Sequence, residues 1–474
     1  MITTPVETLA MALTGDDLPA YVYDLAALRT YAQAVRAALP PGLELYYAAK
    51  ANPAPPVLQA LAPHVTGYEV ASGGEVEHVR AAVPGMPLAF GGPGKTEGEL
   101  RRALTLGVER FHVESEQELR LLAEAAEDAR TSGTGGTQTA TGTSGAAGAR
   151  GTAETSGAAG ARGTAETSRA ARARGTAETS RTTETSRTTE TRRSTETTGT
   201  RRTTGASGTG EVAVLLRVNL PLDGAALDGA ALSMGGRPSP FGLDPEAVER
   251  CLPLFTREGP LRLRGIHAHL ASGLDAPAQV AMAARIADWT RKLSERHGLG
   301  LTEVNVGGGM GVDYAHPDRR FDWAAYGAGM ADLALRHPDL TLRIEPGRAL
   351  TVHCGWYVTE VLDLKHSGGE AFAVLRGGTH HLRTPATKQH DQPFQVLPVD
   401  TWTRPWARPA AREEPVTLVG QLCTPKDVLA RRVPVGALRA GDRVAFAMAG
   451  AYAWNISHHD FLMHPKPGFH YLDE

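Results

Sequence analysis

Cysteine is nearly absent. The chain has three in 474 residues. Cys251, Cys354 and Cys423 are far apart, form no metal-spaced pair, and their odd count argues against a disulfide framework. Long apolar runs are missing too. The first twenty residues hold Glu7, Asp16 and Asp17 and no sustained hydrophobic stretch. Neither a signal peptide nor a membrane-spanning helix is therefore expected. Charge of one sign is also lacking. The formal net charge of −3 gives no reason to expect nucleic acid or an anionic membrane as partner. The expectation is a soluble, cytoplasmic protein. What is present is apolar residue, 42% of the chain, enough for a large core and two or three domains.

Residues 131–210 are unlike their surroundings. They are mostly Thr, Gly, Ala, Ser, Arg and Glu, and Gly-Thr-Ala-Glu-Thr-Ser starts at Gly151, Gly163 and Gly175. Such a stretch buries too little surface to offset its ordering entropy. It reads as a disordered low-complexity insertion, with an interaction tail or a modified Ser/Thr stretch as the alternative.

On either side of it, short β-rich runs alternate with helical stretches. The runs are Tyr46–Lys50, Gly67–Ala71, Leu88–Gly92, Arg110–Glu114, Ala213–Asn219, Gly265–Leu270, Glu303–Gly308 and Leu342–Gly347. Ser115–Arg130 and Pro277–His297 read as amphipathic helices, the second with Asp275 as its cap. Eight such units predict an α/β fold, a (β/α)8 TIM barrel over 26–350 interrupted by 131–210. An open doubly wound sheet is the structural alternative, but Gly307-Gly308-Gly309 is the wrong shape for a dinucleotide fingerprint. The insertion falls after the helix that follows the fourth strand, at the barrel end opposite the catalytic face. After residue 350 the runs Val352–Val361, Ala371–Leu375, Val416–Val419 and Arg443–Ala447 lack intervening helices. They predict a mostly-β second domain, 351–474 plus 1–25, to which Ala20–Tyr23 adds a strand.

Polar motifs sit at the strand ends. Lys50 closes the first run. An ammonium there is costly to bury, and the cost is tolerable if the amine is neutral and joined to an aldehyde. Ala71-Ser72-Gly73-Gly74-Glu75 follows the second run and Gly91-Gly92-Pro93-Gly94-Lys95-Thr96 the third. The sixth carries His267, His269 and Ser272, the seventh the triple glycine, and the eighth Glu345-Pro346-Gly347-Arg348. Each has a plain structural alternative. The glycines can be turn residues, His269 a satisfied core histidine, Glu345 with Arg348 an ion pair, and Lys95 a solvated loop residue. Taken together they point to a phosphate-and-ring site with a Schiff-base lysine.

In this combination the chain resembles the fold type III, alanine-racemase-like pyridoxal-phosphate enzymes. It is more similar still to the ornithine/diaminopimelate/arginine decarboxylase group. The resemblance covers both sides of the insertion and implies a homodimer with composite active sites and pyridoxal 5'-phosphate as cofactor. On it, Lys50 falls on the Schiff-base lysine, His269 on the ring-stacking histidine, and Glu345 on the carboxylate at the pyridine nitrogen. Ser272, Gly307, Gly308, Gly309, Arg348 and Tyr452 (in Gly450-Ala451-Tyr452) fall on phosphate contacts. Cys423, in Gly420-Gln421-Leu422-Cys423-Thr424-Pro425-Lys426-Asp427, resembles the residue that the family inserts into the partner's site. It shares with Lys50 the candidacy for proton donor, and a simple buried cysteine is its alternative.

A carboxylate at position 345, where the racemase branch has arginine, favours loss of CO2 over racemisation. Two positions depart from the family pattern. Thr424 stands where an acid often follows the cysteine, and Glu69 stands where aspartate is usual. The first puts plain ornithine, lysine or diaminopimelate in doubt. The runs Gly378–Pro385 and Ala453–Asp460, rich in histidine, resemble the siderophore-biosynthesis branch, whose substrates are amino acids joined to a carboxylate-rich acyl group. Arg383 and His381, with Thr424 and Asp427 of the cysteine loop, are then the substrate-binding candidates. No metal is expected, because the histidines lack ligand spacing. The alternatives are diaminopimelate decarboxylase, an amino-acid racemase and a non-catalytic pyridoxal-phosphate carrier.

Overall fold

The computed structural model describes residues 2–134, 211–221, 232–385 and 390–473. The insertion expected at 131–210 therefore lies outside the described residues, except for its first four. These continue the helix Glu116–Thr134 instead of ending it at Arg130.

Eight parallel strands close into a barrel: Glu44–Ala48, Gly67–Val70, Leu88–Phe90, Arg110–Val113, Val212–Arg217, Leu261–His267, Glu303–Asn305 and Thr341–Ile344. Closure is made by Arg343 and Ile344 pairing with Glu44 and Leu45. The open-sheet alternative is excluded by this pairing. The strands are short and almost wholly buried, as expected where helices cover the outside and side chains fill the inside. Helices follow the strands in turn. Asp275 caps Ala276–His297 as the sequence implies, accepting from Ala278 N at 3.0 Å.

Most strands end earlier than their apolar runs. The first stops at Ala48, and Lys50 sits in a short 3-10 turn, Ala49–Ala51. The sixth stops at His267, and Ala271–Ser272 then pairs with Leu232–Ser233 outside the barrel. The seventh stops at Asn305, so the three glycines lie wholly in the loop. In each case the chain leaves the ladder at the catalytic rim, where side chains must turn toward a common space.

Beyond the barrel, strands Phe394–Leu397, Arg443–Phe446, Gly355–Ser367, Glu370–Leu375, Ala410–Val419 and Val428–Arg439 form a second sheet in that order. Ala20–Asp24 joins it antiparallel to Gly355–Ser367, as expected, and pairs in parallel with Gly468–Leu472. Val352–Cys354 is a 3-10 turn and not the start of a strand. Thr4–Ala12 is a helix that the sequence reading did not anticipate, and its Val6 and Ala10 pack with Val22, Trp356 and Val358. Among the described residues no helix is long and apolar enough to cross a membrane.

Candidate active site

A cavity of about 800 Å³ opens at the C-terminal rim of the barrel. Lys50, Glu69, His269, Ser272, Gly308, Gly309, Glu345, Arg348 and Tyr452 all line it. Residues from five barrel segments and from the loop after Arg443–Phe446 thus meet in one space.

The Lys50 turn is fastened from behind by that sheet. Tyr452 N donates to Ala51 O at 2.7 Å, Asn52 Nδ2 to Gly450 O at 2.9 Å, and Asn455 Nδ2 to Lys50 O at 2.6 Å. The lysine motif and the glycine–tyrosine motif, some four hundred residues apart, are therefore one structural unit. Tyr452 itself holds a left-handed backbone, with φ of 48°. Such a conformation persists in a bulky residue only where its surroundings impose it.

Lys50 Nζ lies 2.5 Å from Glu69 Oε2. Burial disfavours the ammonium, but Glu69, Tyr452 and Glu345 outweigh it and raise the lysine pKa. Without a bound aldehyde, the ammonium is paired with this carboxylate. Burial, with Glu345 adding to it, raises the Glu69 pKa against the pull of Lys50. The extra methylene of Glu69, relative to aspartate, reaches the amine from the neighbouring strand, where Ala48 pairs with Glu69.

His269 Nδ1 accepts from Gly308 N at 3.1 Å, and its Nε2 lies 3.3 Å from Ser272 Oγ. Burial, together with the charges of Arg217 and Lys50, lowers its pKa to about 4, so the ring is neutral at pH 7. The glycine turn beside it tolerates no side chains. A Cβ on Gly308 would stand 2.3 Å from Glu345 O, and one on Gly309, at φ +95°, 2.2 Å from Ala271 O.

Glu345 is buried, and Asn305 Nδ2 donates to its Oε1 at 2.6 Å. Its oxygens also lie 3.3 Å from His267 Nε2 and 3.8 Å from His112 Nδ1. Its partners are thus Asn305 and the two histidines, while Arg348 Nη1 donates to Tyr314 Oη at 2.6 Å and its guanidinium lies over the Tyr452 ring. Lys95 is not solvated: it is buried against Glu118 at 2.6 Å and Gly92 O at 2.7 Å.

The substrate candidates of the second sheet do not line this cavity. Cys423 is exposed, not buried, in the loop between Val419 and Val428. Asp427 is committed to holding that loop. It accepts from Thr379 N at 2.6 Å, from Thr379 Oγ1 at 2.7 Å and from Leu422 N at 2.8 Å. His381 is buried, bonded through Nδ1 to Tyr357 Oη at 3.1 Å, and burial lowers its pKa to about 3. Both make these contacts within the second sheet's own loops. Arg383 remains exposed, with its N–H on Ser457 Oγ. Sequence reasoning missed Glu69 as the lysine's partner, and His112 and Asn305 altogether. The available signal was a polar residue inside each of three short buried strands, which must find a partner.

The model of the pyridoxal-dependent decarboxylase family, named for its C-terminal sheet domain, matches residues 20–450. The chain is 33% identical, over 96% of its length and 94% of the relative's, to 2-[(L-alanin-3-ylcarbamoyl)methyl]-2-hydroxybutanedioate decarboxylase of Staphylococcus aureus. It is 26% identical to the L-glutamyl-[BtrI acyl-carrier protein] decarboxylase of Niallia circulans, over 95% of this chain and 88% of that one. It is also 26% identical to a diaminopimelate decarboxylase of Bacteroides thetaiotaomicron, over 92% and 90%. In fold it is similar to the Helicobacter pylori diaminopimelate decarboxylase solved with L-lysine: TM-score 0.71, 20% identity, covering 98% of this chain and 94% of that one.

Proposed function

The chain belongs to the pyridoxal-dependent decarboxylases, and on that premise we propose which substrate it takes and which residues serve the reaction. It is a pyridoxal 5'-phosphate enzyme that removes CO2 from an amino acid or an amino-acid conjugate. The residues present fit the cofactor. The glycine turn leaves no side chain over one wall, a neutral imidazole faces the cavity, and Arg348 supplies guanidinium donors. Bound there, pyridoxal phosphate supplies an aldehyde for an amine and an electron-poor ring that accepts the electron pair left by departing CO2.

We assign Lys50 Nζ as the amine that holds the cofactor covalently. Glu69 Oε2, 2.5 Å away, takes its proton when the lysine must be neutral. With the cofactor bound, Glu345 would keep a proton on the ring nitrogen, and His269 would lie against the ring. Ser272, Gly307, Gly308, Gly309, Arg348 and Tyr452 would hold the phosphate. In a homodimer with composite sites, Cys423 of the partner subunit, or Lys50, would supply the proton that replaces CO2. We take 26–350 and 351–474 with 1–25 as the two domains, and the cytoplasm as the compartment.

For substrate we propose a citryl-diaminopropionate-like conjugate, as in siderophore biosynthesis. The carrying observation is the 33% identity, over 96% of this chain, to the Staphylococcus aureus enzyme, which is named for a substrate in which an amino acid is amide-linked to a hydroxylated dicarboxylate. Thr424 supports it, because an acid there would repel such an acyl arm. Arg383 is the cation offered to that arm, and Thr424 its neighbour on the cysteine loop. The second reading, diaminopimelate decarboxylase in lysine biosynthesis, has the 26% relative in its favour. A CO2-release screen of citryl-diaminopropionate, diaminopimelate and ornithine decides. The conjugate is turned over best, and Thr424→Glu shifts preference toward the diamino acids. A clear win for simple diamino acids in the wild type overturns the substrate assignment.

A further inference from the structure

The roles above leave the polar groups behind Glu345 unexplained. His112 is fully buried and His267 4% exposed. Their rings stack, with centroids 4.3 Å apart and planes 9° from parallel. Neither ring nitrogen of His267, nor Nδ1 of His112, makes a formed hydrogen bond among the described residues. His267 Nε2 is nevertheless only 3.3 Å from Glu345 Oε2. Two apolar side chains would fill this space without the cost of unpaired buried nitrogens. Packing alone therefore does not account for imidazoles here.

Asn305 shows which way the group is organised. Its Oδ1 accepts from Gly307 N at 2.9 Å, which fixes the amide so that Nδ2 must face Glu345 Oε1, at 2.6 Å. His112 Nε2 stands 3.4 Å from the same Asn305 nitrogen. Register puts Asn305 beside His267 on adjacent strands. The phosphate-side glycine turn, the amide, the carboxylate and the two rings are thus contiguous.

We propose that Asn305, His267 and His112 are positioning residues that hold the Glu345 carboxylate in one orientation, with its charge reserved for the ring nitrogen of the cofactor. Asn305 fixes one oxygen by a hydrogen bond. His267 stands against the other. His112 braces His267 through the stack and closes the barrel beneath. This rests on the reading of Glu345 as the ring-nitrogen partner. The donor atoms of His112, His267 and Glu345 all lie within 4.8 Å of one another, which is also the spacing of a cation site. A cation would occupy the carboxylate that the ring nitrogen needs, so the two uses exclude each other.

The test measures binding of pyridoxal phosphate to the apoprotein by equilibrium dialysis, beside its 1-deaza analogue, in which carbon replaces the ring nitrogen. His267→Phe keeps the stack and loses the nitrogens. It weakens pyridoxal-phosphate binding about tenfold, the upper end of what one ordinary polar contact contributes, and leaves analogue binding unchanged. His267→Gln recovers part of the loss, and Asn305→Ser behaves like His267→Phe. Equal weakening for both ligands, or none for either, overturns the proposal. So does tight binding of zinc to the wild-type apoprotein that His267→Phe abolishes, which would make the trio a cation site. Glu345→Gln separates the two levels of inference. If it fails to discriminate between the ligands, the reading of Glu345 itself falls. If it discriminates and His267→Phe does not, only the positioning role falls.

Discussion

The barrel carries two polar layers on the same strands, and they are built differently. Arg110 and His112, Glu303 and Asn305, Arg343 and Glu345 are each two residues apart, so each pair shares a face of its strand or its direct continuation. The lower members pair among themselves. Arg110 grips Glu303 through two nitrogens at 2.7 and 2.8 Å, and Arg343 reaches both Glu303, at 3.2 Å, and Glu44. The upper members leave imidazole nitrogens without formed bonds around a carboxylate that faces a cavity. One layer is held by charged pairs within the folded chain, with Arg343 Nη1 its one nitrogen among the described residues that is buried without a formed bond. The other is arranged around something it does not itself contain. A buried polar group serves stability where its partners are in the chain, and serves binding where they are missing.

Substitutions should separate the layers. The largest effect belongs to Lys50→Ala, which removes the amine while leaving both layers in place. Turnover, followed as CO2 release, falls to background, the absorption of lysine-bound cofactor disappears, and the melting temperature of the apoprotein stays near that of the wild type. Next comes Glu345→Gln, in the upper layer. It lowers kcat by about 10²–10³, the usual cost of a missing electrostatic stabiliser, with little change in thermal unfolding of the apoprotein. Glu303→Gln, one layer down on the adjacent strand, gives the reverse. It strands Arg110, leaves Arg343 with Glu44 alone, and destabilises by about 3 kcal/mol in a urea titration, while the protein that remains folded keeps its cofactor affinity. Matching losses of stability from both glutamates would erase the distinction between the layers.

This contrast explains what was legible in the sequence. The barrel was, because strands buried on both sides appear as separate apolar runs, and because glycines, histidines and charges cluster after them. Lys50, His269, Ser272, the glycine turn, Glu345, Arg348 and Tyr452 do converge on one cavity. The partners inside the strands were hidden. Glu69, His112 and Asn305 each sit within a short run where a polar residue looks like noise, and only the closed barrel brings strands two, four and seven around one interior. The second sheet was read in part. Val428–Arg439 carries Arg431, Arg432 and Pro434, the marks of an edge strand, and these obscure its alternation. The contacts that His381 and Asp427 make within the chain were not legible, because sequence shows residue type but not which neighbour stands beside it.

Acid should probe the two layers by a smaller, graded effect. Burial first, then nearby positive charge, holds His112 and His267 well below the usual 6.5 and His269 at about 4. A depressed histidine binds its proton more readily in the unfolded chain. Its contribution to stability is therefore intact above about pH 6.5 and is lost as the pH falls toward the folded value. Burial would raise the Glu303 pKa, but Arg110, Arg343 and Arg264 outweigh it and lower it. That contribution holds until the pH drops below about 4.5, the free-glutamate range. Between pH 6.5 and 4.5 the buried histidines lose their contribution to stability and Glu303 keeps its own. Glu69 and Glu118, raised by burial, work with the opposite sign, so the difference between variants is the informative quantity. Urea midpoints at pH 7 and pH 5 should show His267→Phe losing less stability on acidification than the wild type, by about 1.4 kcal/mol per pH unit at most. Glu303→Gln, starting lower, should lose as much as the wild type. A parallel pair of pH profiles for wild type and His267→Phe would mean that His267 takes up its proton equally well in the folded and the unfolded chain, and its depressed pKa beside Glu345 would have to be abandoned.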